Sequence, residues 1–110
     1  MNSESCLDCT HKHLCQAMII HEEEVPLGYP DDIKRVIGHL AEATRHALGK
    51  HPGLALLLRL WRKTVRQTNS VPPYAKIIDF VEVLIACEKQ NLPFPDLPEG
   101  LGSTTDPTPK

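Results

Sequence analysis

Long apolar runs are missing from this sequence. No uninterrupted run exceeds five residues, as in Leu54 to Leu58 before Arg59, against the roughly 18 that a membrane-spanning helix needs. The start, Met1-Asn2-Ser3-Glu4-Ser5, lacks the basic and apolar regions of a signal peptide. A cytosolic location, with no membrane partner, is the expectation. An excess of one charge is also missing. The formal net charge is -2, so nothing draws the whole chain to nucleic acid or to an anionic surface, and any basic surface must be local. Aromatic residues are few, at one Trp, two Tyr and two Phe. A core short of aromatics invites completion across a homodimer or higher oligomer. Glycine-rich phosphate loops and a G-x-S-x-G nucleophile turn are absent, as are H-E-x-x-H, H-x-x-E-H and the paired E-x-x-H of di-iron bundles.

What is present begins at Cys6-Leu7-Asp8-Cys9-Thr10-His11-Lys12-His13. Two cysteines two residues apart, followed by histidine, are zinc ligand types at zinc ligand spacing. In a reducing compartment such a pair binds metal or cycles redox state more often than it forms a structural disulfide. The βαβ pattern of thioredoxin-like proteins is absent, which argues against the redox reading. Cys15 and Cys87 lie within helical patterns and read as buried free thiols.

Helical periodicity accounts for the rest. Helix 1 is expected from about Thr10, as N-cap, to Glu24, with Glu22-Glu23-Glu24 at a C-terminal end whose dipole disfavours them. That end either frays or meets a basic partner. Val25-Pro26-Leu27-Gly28-Tyr29-Pro30 is a turn. Helix 2 follows from about Asp31 to Leu48, with Ile33, Val36, Ile37, Leu40, Thr44, Ala47 and Leu48 on one stripe and Gly49 as its stop. Gly38, inside that helix, suggests close packing of helix 1. Helix 3 opens at Pro52 and runs to about Gln67. Helix 4 runs from Tyr74 to about Gln90. From Leu92 onward the prolines and glycines describe a disordered or extended tail. The expected fold class is all-α: a compact bundle of about four helices with an N-terminal C-x-x-C zinc knuckle. Residues 1–91 would form the zinc-stapled domain and residues 92–110 the tail.

Three ligands, Cys6, Cys9 and His13, leave one to find, because structural zinc sites close with four. The choices are His39, His11, His21 and Cys15. His39 is preferred, because an antiparallel hairpin brings the later half of helix 2 to the start of helix 1. His46 lies further along the same approach. His21, eight residues past His13, sits about 12 Å along the helix and is too distant. The expected metal set is therefore Cys6, Cys9, His13 and His39 around structural Zn2+.

Cys6-x-x-Cys9-x-x-Lys12-His13-Leu14-x-x-Ala17, then Gly28-Tyr29-Pro30, then Gly38-His39-Leu40-Ala41-Glu42-Ala43 resembles a family of small bacteriophage and prophage proteins. They share a C-x-x-C-x-x-K-H-L block and a G-H-L-x-E-A block around a Y-P turn. The resemblance covers about residues 6 to 48 and implies a viral or prophage context without an activity. It marks the same four ligands and adds Lys12 and Glu42 as supporting residues.

Two function classes follow. The first is a non-enzymatic zinc-binding adaptor that binds a host or viral protein. The second is a nucleic-acid or signalling-nucleotide binding protein that uses Arg59, Arg62, Lys63 and Arg66 on the wet face of helix 3. A metal-dependent hydrolase is the third and weakest reading, since no acid, base and nucleophile set assembles in the sequence and a closed metal site leaves no room for substrate.

Overall fold

The computed structural model describes residues 5–68, 70–98 and 100–101. Among these, regular structure is entirely helical. Helix α1 spans Leu7–Ile19, α2 Pro30–Leu48, α3 Pro52–Thr68 and α4 Tyr74–Lys89. The all-α bundle of four helices is thus what the periodicity described. Helix α1 packs against α2 and α4, and α2 packs on its other side against α3.

The start of α1 differs from the expectation. Cys6, not Thr10, is the N-cap: its backbone is extended, and its Sγ accepts the Cys9 N–H at 3.0 Å. The cysteine pair is therefore the opening turn of α1 and not a knuckle ahead of it. Thr10 is fully buried, and its hydroxyl donates to the Cys6 carbonyl at 3.0 Å and approaches the Ala43 carbonyl at 3.4 Å. A second tie holds the same end, where the Cys6 N–H donates to the His46 carbonyl at 2.9 Å.

The far end of α1 neither frays nor continues regularly. It widens into a π-helical turn, Ile20–Glu24, and then tightens into a 3-10 turn, Val25–Leu27. The wider turn places two consecutive residues, Ile20 and His21, in the core. His21 Nδ1 lies 2.9 Å from the Tyr74 hydroxyl, and burial pushes the Tyr74 phenol far above its ordinary range. The acidic run meets a cation: Arg35 donates to Glu24 at 2.8 Å and to Asp32 at 3.0 Å. Gly28, at φ 94°, ends the 3-10 turn in the left-handed region that glycine tolerates.

The core runs through all four helices. It holds Leu7, Leu14, Ala17 and Ile20 from the first hairpin arm, Val36, Leu40, Ala43 and Ala47 from α2, Leu54, Leu58, Trp61 and Val65 from α3, and Tyr74, Ile77, Val81 and Leu84 from α4. On α2, Ala43 takes the buried place expected of Thr44, and Leu48 is exposed. The expectation for Gly38 also fails. A Cβ built there meets nothing within 4 Å, so no neighbouring helix requires the glycine. Cys15 and Cys87 are half-buried, not buried.

Past α4, Asn91 takes a positive φ of 59° and turns the chain back along the bundle. Phe94 and Leu97 pack against the core, Leu101 is buried, and the Trp61 Nε1–H donates to the Leu101 carbonyl at 3.2 Å. His51 Nε2 lies 2.8 Å from the Pro95 carbonyl. The first part of the tail is therefore a strap across α3 and α4. Residues 1–4, and residues 102–110 of the expected tail, lie outside the described residues.

Candidate metal centre

The antiparallel packing of α1 on α2 fixes what faces what. Cys6 is tied to His46, Thr10 lies against Ala43, and His13 lies against His39. Titratable side chains accumulate along one edge of this seam. From α1 comes His13. From α2 come His39, Glu42 and His46, one turn apart on a single face.

Within this file His13, Glu42 and His46 converge. Each offers one ligand atom, and those atoms all lie within 4.8 Å of one another. His46 Nε2 is 3.9 Å from Glu42 Oε1. The rings of His13 and His46 stack with centroids 5.8 Å apart and planes 9° from parallel. His39 completes the arrangement from the other side, its Nδ1 2.9 Å from His13 Nδ1. All four side chains are half-buried.

Burial lowers the His13 pKa, and the neighbouring His39 lowers it further. Lys12, exposed beside it on α1, acts in the same direction, while Glu42 opposes. His39 is likewise lowered by burial, and then by the charge of Arg35. Arg45 donates to Glu42 and holds its carboxyl below the usual range. Burial thus favours the neutral imidazole at His13 and His39, and the Arg45 contact favours the carboxylate at Glu42, the forms that metal ligation requires.

The donor chemistry suits a divalent transition metal. Two imidazoles and one carboxylate form a set used for zinc, with ligand bonds of about 2.0–2.2 Å. Three protein ligands also leave a coordination position open. Such a set is distinct from the closed four-ligand site expected from the sequence.

The four residues chosen from sequence divide into two pairs. His13 and His39 are in direct contact. Cys6 and Cys9 hold each other through the N–H···S bond, and the neighbouring Cys6 sulfur is the main influence raising the Cys9 thiol pKa. Among the described residues, neither cysteine joins a group of three donors as close as His13, Glu42 and His46. Glu42, expected only as a supporting residue, is one of the three donors. His46 was within reach by the hairpin argument, and its signal was the Glu42–His46 spacing of four.

The other ligand choices are engaged elsewhere. His21 bonds Tyr74. His11 stands between Cys15 and Glu82: its Nδ1 is 3.7 Å from Cys15 Sγ, and its Nε2 is 3.0 Å from Glu82 Oε2. Thiol, imidazole and carboxylate thus stand in line, a file that the sequence did not announce because Glu82 comes from α4. Burial and the Glu82 charge raise the Cys15 thiol, so it is not a poised thiolate.

No family model matches this chain, and neither a curated protein nor a solved structure does. No helix among the described residues is long and apolar enough to cross a membrane.

Proposed function

We propose that this chain is a small, non-enzymatic metal-binding helical protein, in which one divalent ion, zinc foremost, clips α1 to α2. His13, Glu42 and His46 hold the ion, and His39 orients His13 through its hydrogen bond, as outer partners of zinc-bound histidines commonly do. Cys6 caps the start of α1 by accepting the Cys9 N–H at its sulfur. The convergence of three donors from two helices, all within 4.8 Å of one another, carries this reading. A chain of 110 residues has a small core, and a metal that joins two helices adds stability that such chains commonly need. The biological task is binding a host or viral macromolecule in the bacterial cytoplasm, with a protein as the first choice of partner. The viral context rests on the resemblance of the Cys6–Ala17 and Gly38–Ala43 blocks to phage proteins.

Cobalt substitution tests the site. Addition of Co2+ to the apoprotein should produce visible bands that saturate at one ion per chain and that zinc displaces. The His46→Ala and His13→Ala variants should lose them. An intense near-ultraviolet band from thiolate to cobalt, removed by Cys9→Ser, would move the ion to the cysteine pair. Absence of any stoichiometric binding would end the proposal.

A further inference from the structure

Helix α3 carries a second feature, built from residues outside the metal centre. Its sequence, Pro52 to Thr68, contains Arg59, Arg62, Lys63 and Arg66 and no acidic residue. The spacing of three, four and seven gathers the cations on one face. They span about 10 Å along the axis at 1.5 Å per residue. With Leu56, Leu60 and Gln67 they line an open groove of about 590 Å³. Each has been left without an ion pair among the described residues, although other cations of the chain, Lys34, Arg35, Arg45 and Lys50, are matched to carboxylates. The opposite face of α3 is committed to the core through Leu54, Leu58, Trp61 and Val65.

We infer that the outer face of α3 binds the phosphate backbone of a nucleic-acid duplex, with Arg59, Arg62, Lys63 and Arg66 as its phosphate contacts. Three of the four cations are arginines, whose planar fork pairs two N–H groups with a phosphate. No aromatic side chain lines the groove, so it offers no platform for unstacked bases, and single strands lose the contact that usually holds them. The groove is lined by four cations, one amide, Gln67, and no acidic side chain, a set dominated by groups that neutralise phosphate, so contact is to the backbone and largely independent of sequence. Leu56 and Leu60 are two residues, too small an apolar area to seat the helix in lipid.

The test is fluorescence anisotropy of short labelled DNA and RNA duplexes with the full chain as purified, repeated in chelator to show that no bound metal touches phosphate. Binding should weaken about a hundredfold between roughly 50 and 200 mM salt, with a log–log slope of about -3 to -4 for four DNA phosphate contacts. The Arg59→Glu/Lys63→Glu variant should lose at least tenfold in affinity at low salt while keeping the wild-type far-ultraviolet spectrum. Should that variant unfold, Arg59→Gln/Lys63→Gln takes its place, with a slope reduced by about 2. No duplex binding at low salt would overturn the inference, as would a slope that the folded variant leaves unchanged. Tighter binding of a polyglutamate peptide would overturn it in favour of an acidic protein partner. Tighter binding of a matched single strand, or of vesicles rich in anionic lipid, would also overturn it.

Discussion

His13 and His39 meet nitrogen to nitrogen, with their Nδ1 atoms 2.9 Å apart. One ring must donate the proton and the other must accept, so at least one of the two is neutral in the folded chain. Burial favours neutrality in both. The sign of the pH effect follows. A histidine whose folded pKa lies below its unfolded value contributes stability above about pH 6.5, the unfolded value. That contribution is lost as pH falls through the lowered folded value. Thermal melts in chelator should therefore show Tm falling from about pH 6.5 downward, with a shallower fall in His39→Asn. An equal fall in both proteins would show that the pair does not govern acid stability.

Gly38 gives a prediction of the opposite sign. It sits in the interior of α2, where glycine costs about 1 kcal/mol relative to alanine. A methyl group there meets nothing within 4 Å. Gly38→Ala should accordingly stabilise the apoprotein by about 0.5–1 kcal/mol, seen as a rise in urea midpoint at unchanged slope. A lower urea midpoint in Gly38→Ala would show that this position of α2 has no room for a methyl group and would sink the prediction.

These residues also mark how far the sequence could be read. The bounds of α2, α3 and α4 were legible to within a residue or so, because Pro52, Gly49 and the 72–73 prolines punctuate strong apolar periods. The C-x-x-C spacing had a ready reading as a turn before the helix, and that reading hid the cap role of Cys6. Thr10 is a good cap by type, yet it is buried between Cys6 and Ala43. The π-turn at Ile20–Glu24 was not legible, since a local change of period leaves no residue signature. At the seam, the antiparallel hairpin legible in the sequence does bring His39 to His13. The choice of His39 over His46 as the ligand was less secure, because a shift of seven residues, about two helical turns, exchanges one for the other.

The strap predicts a folding boundary later than residue 91. Leu101 is buried, Phe94 and Leu97 lie partly buried on the core, and Trp61 donates to the Leu101 carbonyl. Full burial of one leucine is worth about 1.5–3 kcal/mol. A chain ending at residue 91 should lose at least about 2 kcal/mol and show a shifted Trp61 emission maximum, whereas one ending at residue 102 should match the full chain. Equal denaturation midpoints for all three would mean that the strap adds nothing to the fold.

The four cysteines should separate by reactivity. Thiolate, not thiol, attacks an alkylating agent. Burial raises the Cys15 pKa, and the negative charge of Glu82 raises it further. Glu82 reaches Cys15 across His11, whose ring it holds at 3.0 Å. Replacing Glu82 by Gln removes the charge and leaves the shape, so the Cys15 thiolate fraction rises at any pH below the thiol pKa. Iodoacetamide labelling followed by peptide mass spectrometry should show Cys15 modified severalfold faster in Glu82→Gln than in the wild type at mildly alkaline pH. The rate at Cys87, compared between the two proteins, serves as the internal control. If Cys15 slows instead, the carboxylate acts mainly by holding His11 as a base for the thiol, and the file of Glu82, His11 and Cys15 works as an activating relay and not as a restraint.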